Sequence, residues 1–135
     1  MTLEYSIKAE SVSGNDAVLT IKQSDISFGT TEKTSDLLPN PAELFLGSFA
    51  ACILKNVERF SHLLNYSFTK AEISVTAVRL ERPPRMDSVH YKLTVYSNDK
   101  RMRTELLKKN LEKFGTIFNT VSKSCEVTGE ITKVS

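Results

Sequence analysis

One stretch constrains this chain more than any other. Residues Asn40 to Cys52 read Asn-Pro-Ala-Glu-Leu-Phe-Leu-Gly-Ser-Phe-Ala-Ala-Cys. Asn40 has a capping side chain, Pro41 suits the first helical position, and Glu43 falls where a capping-box acid belongs. The spacing predicts a helix running to about Leu64, with Asn65 at its end. Its first half is apolar on every side, through Leu44, Phe45, Leu46, Phe49, Ala50, Ala51, Ile53 and Leu54. A helix without a polar face must be buried all round. At 135 residues the chain is read as a single domain, 1–135, able to bury roughly two thirds of its unfolded surface. One such domain does not cover this helix comfortably, so a second copy is expected against it, where Gly47, Ser48, Ala50 and Ala51 allow close approach.

The rest of the chain alternates or repeats in ways that place its elements. Residues 3–12 and 17–22 read as strands around the turn signal Gly14-Asn15-Asp16, and Ile26–Thr30 as a third short strand. Ala71, Ile73, Val75 and Ala77 alternate with polar residues, as do Val89, Tyr91, Leu93 and Val95; Glu81–Arg85 separates them as a hairpin turn. Met102, Leu106, Leu107, Leu111 and Phe114 have helical spacing, with Lys100–Arg103 and Lys108–Lys109 on its solvated face. Gly115 ends or kinks that helix. Ile117, Phe118 and Val121 suggest a short second one, and Val127–Val134 a closing strand. The order β-β-(β)-α-β-β-α-α-β is an α+β pattern.

Composition removes several function classes. The net charge is +2, and no basic stripe is interleaved with aromatics, so no nucleic-acid partner is expected. The longest apolar run, Leu44–Leu54, is too short to span a bilayer, so no membrane partner is expected either. Met1–Glu10 is polar and reads as no leader. Two cysteines make no disulfide framework, which points to a cytoplasmic chain with reduced thiols. His62 and His90 are isolated from other ligands, so no metal is expected. The glycines form no phosphate loop, and Ser48 and Ser61 lack a nucleophile-elbow context. Chemistry therefore rests on thiols, Cys52 above all. A thiol on this helix is either a packing group or a reactive one.

At Asn40–Cys52 the chain resembles the OsmC/Ohr family, named for osmotically induced protein C and organic hydroperoxide resistance. The family pattern is Asn-Pro-Glu-(Glu/Gln)-Leu, apolar residues, then Ala-Ala-Cys. Asn40, Pro41, Glu43, Leu44, Ala50, Ala51 and Cys52 match it in register. Gly115–Val121 resembles the second motif, Cys-Pro-Val-Ser-Asn-Thr-Leu. The resemblance implies an α/β sandwich in which antiparallel-rich sheets wrap two long central helices of an intertwined homodimer. It also implies a peroxiredoxin-like dithiol peroxidase acting in oxidative stress. There the first cysteine attacks an organic hydroperoxide, the second resolves the sulfenic acid as a disulfide, and an external dithiol reduces the pair. An arginine and a glutamate hold the attacking thiolate.

Carried over residue by residue, the attacking cysteine is Cys52. The glutamate ten residues earlier falls on Ala42. Glu43 is adjacent, but one helical step turns it by about 100°, and capping is its expected role. No arginine precedes Arg59, and the cations of the N-terminal strands are Lys8 and Lys22. Glu43 and Lys8 are the candidate supports for the thiolate, with Lys55 and Arg59 one and two turns beyond it. The second cysteine falls on Gly115, not on Cys125, which is expected as a strand residue.

Two functions follow. One is a thiol-dependent organic hydroperoxide reductase in which Cys52 attacks a small hydrophobic hydroperoxide. An external thiol then resolves it, with no bound cofactor. The alternative is a non-catalytic protein of the same fold, holding an apolar small molecule in a dimer cleft lined by Phe45 and Phe49.

Overall fold

The structure, a computed structural model, describes residues 2–135. It divides into two compact units, one reaching to Phe45 and the other Leu46–Ser135.

The first unit is an antiparallel meander of β1 (Lys8–Ser11), β2 (Ala17–Ile21) and β3 (Ser24–Phe28). Gly14 turns the first hairpin with φ 83°, and Lys22 turns the second with φ 55°. The strand expected over 3–12 is paired only from Lys8, opposite Thr20, and Thr2–Ile7 lies outside regular secondary structure. Asp16 fastens the segment after β3. Its carboxylate accepts from the Thr34 hydroxyl at 2.7 Å, the Thr31 hydroxyl at 3.1 Å and the Thr30 N–H at 3.1 Å. These bonds, the Thr34 hydroxyl foremost, hold its carboxyl below the usual carboxylate range.

Helix α1 (Pro41–Leu63) begins with the expected capping box. The Glu43 N–H donates to Asn40 Oδ1 at 2.8 Å, and the Asn40 N–H donates back to Glu43 Oε1 at 3.0 Å. The cap contributes about 1 kcal/mol. Asn65, with φ 56°, lies just past the helix end.

In the second unit β4 (Lys70–Glu81) and β5 (Pro84–Tyr96) form the long antiparallel hairpin, its turn holding a cis Arg82–Pro83 peptide. Helices α2 (Thr104–Phe114) and α3 (Thr116–Ser122) then carry the chain back, and β6 (Glu126–Val134) adds parallel to β5. A parallel neighbour needs such a crossover. β5 is therefore central, and its alternate residues Val89, Tyr91, Leu93 and Val95 are buried. Against them pack Phe49, Ile53, Val57 and Phe60 of α1, Leu107 and Leu111 of α2, and Phe118 and Val121 of α3. The four α1 residues recur every three or four positions, so they form one stripe.

Lys100–Arg103 precede α2 instead of lying on its face. Asp99 is the reason. It accepts from the Arg101 N–H at 2.9 Å and from the Arg101 guanidinium, folding 99–101 into a turn before the helix can begin. The same carboxylate takes the Ser67 N–H at 2.8 Å, and Lys133 of β6 donates to the carbonyls of Asp99 and Met102. The start of β4, the end of β5 and β6 are thus tied at one corner.

Candidate functional site

Cys52 sits in the middle of α1, one residue before buried Ile53, and its side chain is half-buried. Gly115, between α2 and α3, stands against it. A Cβ built on Gly115 would lie 3.2 Å from Cys52 Sγ, and 3.0 Å from both the Leu111 carbonyl oxygen and Phe118 Cβ. The position that the second motif assigns to a cysteine is therefore beside the Cys52 sulfur. Gly115 ends α2 with its N–H on Leu111 O, and α3 starts from it, with the Asn119 N–H donating to its carbonyl.

The other thiol is elsewhere in use. Cys125 precedes β6, packs against the core and directs its S–H to the Met86 carbonyl at 3.4 Å. Both cysteines are free.

The candidate supports have their own places. Glu43 spends its carboxylate on the Asn40 cap, as the motif suggested. Lys8 is exposed on β1 and belongs to the first unit, whereas Cys52 belongs to the second. Lys22 occupies the β2–β3 turn. Lys55 is exposed, and the Arg59 guanidinium lies over the Phe60 ring, 5.4 Å from its centroid. Phe60 in turn lies 5.9 Å from the ring of Phe114, over which Lys113 is placed.

One polar contact to Cys52 had no warning in the motif. Asn56, a helical turn on, donates from Nδ2 to the Cys52 carbonyl at 2.9 Å and lies 3.7 Å from its sulfur. The i, i+4 spacing on a mostly apolar helix was the available signal.

Around the thiol the unit is rigidly packed. Phe49, expected on the wall of an apolar cleft, is 0 % exposed. It stacks with Phe118 at 5.6 Å and leans on Tyr91 at 6.2 Å, because three rings fill the space between helix and sheet. Tyr91 donates to Glu112 Oε2 at 2.7 Å, and Lys108 pairs with that oxygen at 3.0 Å. Burial, then the Glu112 carboxylate, pushes the Tyr91 phenol far above its ordinary range. Burial and the Glu58 charge push Tyr66 up to about 12, while its hydroxyl donates to Val57 O. Both phenols are structural donors, not acids for a reaction near pH 7.

Among the described residues no group of three or more metal-ligating side chains is clustered, and no helix is long and apolar enough to cross a membrane.

Comparison with known proteins gives a consistent pattern. The family model described as OsmC-like protein matches residues 33–130. No curated protein sequence matches the chain. Among solved structures, the OsmC-like protein of Mycoplasma pneumoniae superposes with a TM-score of 0.84 at 18% identity, covering 100% of both chains. An OsmC-like protein of unknown function from Vibrio cholerae gives 0.80 at 14% identity, over 96% of this chain and 99% of that one. The organic hydroperoxide resistance protein OhrB of Bacillus subtilis gives 0.62 at 18% identity, over 95% of this chain and 98% of the other. At such identities these likenesses speak for the fold.

Proposed function

The chain belongs to the OsmC-like protein family, and from that premise we propose that it is an organic hydroperoxide reductase working with one cysteine. The observation that carries this reading is the 3.2 Å between Cys52 Sγ and the Cβ position of Gly115. The attacking sulfur is where the family's pair of sulfurs would meet, and the resolving side chain is missing. A half-buried thiol with no second sulfur beside it can react, but it cannot close an internal disulfide there.

The Cys52 thiolate attacks the terminal oxygen of ROOH, the O–O bond breaks, and RO⁻ leaves and takes a proton to become ROH. Cys52 is left as a sulfenic acid. An external thiol condenses with it, releasing water and forming a mixed disulfide. A second thiol then exchanges at that disulfide and restores Cys52. The sum is ROOH plus two thiols giving ROH, one disulfide and water. The apolar surroundings of Cys52 favour a small hydrophobic R group, and the need for reduced thiols fits a cytoplasmic setting.

We further read the protein as a homodimer. In the single chain Gly47, Ala51 and Leu54 of α1 are exposed along one face, with Leu54 36% accessible. A second copy on that face satisfies the all-apolar helix.

The test is consumption of cumene hydroperoxide with dihydrolipoamide, for wild type and Cys52→Ser side by side. Turnover in the wild type that is lost in the variant is the expected result. Equal consumption in both ends this reading, and an apolar ligand recovered with the purified protein would then favour the binding alternative.

A further inference from the structure

Asn56 lies one turn after Cys52 on α1 and is half-buried, beside the core stripe of Ile53 and Val57. Its Nδ2 is 2.9 Å from the Cys52 carbonyl oxygen and 3.7 Å from Cys52 Sγ. A carbonyl oxygen only accepts, so the end of the carboxamide facing it is the NH2 group, and chemistry fixes the orientation of the amide. That group has two hydrogens. One is committed to the carbonyl; the other is within reach of the sulfur.

We propose that Asn56 is a positioning residue that holds the Cys52 sulfur as a thiolate through this second N–H. The proposal rests on the reading of Cys52 as the attacking group. A donor aimed at a sulfur favours its charged form over its neutral one, because S⁻ accepts a hydrogen bond far better than S–H does. The usual purpose of a polar side chain bonded one turn back is local backbone satisfaction. Here the same nitrogen serves the backbone and reaches the thiol, because both acceptors belong to residue 52. The carboxamide supplies without a formal charge what an arginine would supply with one, in a chain with alanine at 42 and no arginine before Arg59. With no side chain at Gly115, no second sulfur competes with the amide for the Cys52 thiol.

The experiment measures alkylation of Cys52 by iodoacetamide in a Cys125→Ser background, so that one thiol is read. Asn56 is compared with Asn56→Leu, which keeps the branched shape and the helix but has no donor. At pH 7 the variant alkylates about tenfold more slowly, the effect of losing a hydrogen bond to a charged group. At about pH 10, where an ordinary thiol is ionised without help, the two rates converge. Equal rates at pH 7 overturn the proposal. So does a deficit that is as large at pH 10 as at pH 7, since that reports access instead of thiolate. A variant that alkylates faster at pH 7, as an unfolded chain would, overturns it too. Iodoacetamide needs no hydroperoxide, so the outcomes separate: slowed alkylation in the variant together with no hydroperoxide turnover in the wild type would retain the role of Asn56 and remove the peroxidase reading.

Discussion

The backbone of Gly115 abuts the sulfur of Cys52, 63 residues earlier in the chain, and a Cβ at 115 would lie 3.2 Å from Sγ. Across a disulfide, a Cβ and the opposite sulfur are separated by one C–S and one S–S bond, a span of about 3 Å. Gly115→Cys, in a Cys125→Ser background, is therefore expected to form a disulfide with Cys52 on mild oxidation. Peptide mapping under non-reducing conditions checks it. The loop is long, so the bond should stabilise the oxidised protein by up to about 4 kcal/mol. Part of this is offset because the new Cβ crowds Leu111 O and Phe118 Cβ, each 3.0 Å away. Two free thiols after oxidation would mean that the second motif has been placed in the wrong register.

The resemblance of Asn119, Thr120 and Val121 to the second motif is what suggests that register in the chain itself. The start of α1 was equally legible, since Asn40, Pro41 and Glu43 act within one turn. Strand periodicity revealed β4 and β5 because alternate residues face the core. It did not reveal that β6 runs parallel to β5, because alternation is the same in either direction. Asp99 was missed for a different reason. Its partners Ser67 and Arg101 and the Lys133 bridge to its carbonyl come from three segments, so the turn it forms at 99–101 is decided by the assembled corner. Asn56 belongs to no motif, and which acceptors its NH2 group faces depends on the folded helix.

Gly129 is opposite Tyr91 in the β5–β6 ladder, and the Tyr91 ring covers it. A Cβ there would come within 2.0 Å of Tyr91 Cε1 and 2.2 Å of Cδ1 and Cζ. Gly129→Ala should cost roughly 3 kcal/mol or more, because the ring is also fixed by Phe49, Phe118 and Glu112 and cannot yield cheaply. Urea unfolding measures the loss. Adding Tyr91→Leu should return part of it, since the clash then has no partner. A stability equal to wild type in Gly129→Ala would contradict this packing.

The Arg101 guanidinium, then the N–H groups of Arg101 and Ser67, hold the Asp99 carboxyl well below the usual carboxylate range. A lowered folded-state pKa makes the ionised form the stabilising one. The contribution is complete above the unfolded value, about pH 4, and is lost as pH falls through the folded value. Asp99→Asn should thus unfold at lower urea than wild type at pH 7, and the difference should narrow steadily below about pH 4. A difference that stays constant to pH 2 would show that shape, not charge, is what the corner requires.

Under the homodimer reading, the outward face of α1 is the contact between the two copies. Gly47, Ala51 and Leu54 are four and three residues apart and exposed in the single chain. Under the homodimer reading, Leu54→Glu places a carboxylate from each copy in a buried apolar contact. An unpaired charge there costs several kcal/mol, enough to shift a micromolar dimer to monomer. Sedimentation velocity at about micromolar concentration reads the change directly. Lys109→Glu, on an exposed position of α2, is the control for altered net charge and should leave the dimer intact. A wild type that sediments as a monomer ends the homodimer reading. A Leu54→Glu protein that still dimerises moves the interface away from α1, and the all-apolar first half of that helix would then need a different cover.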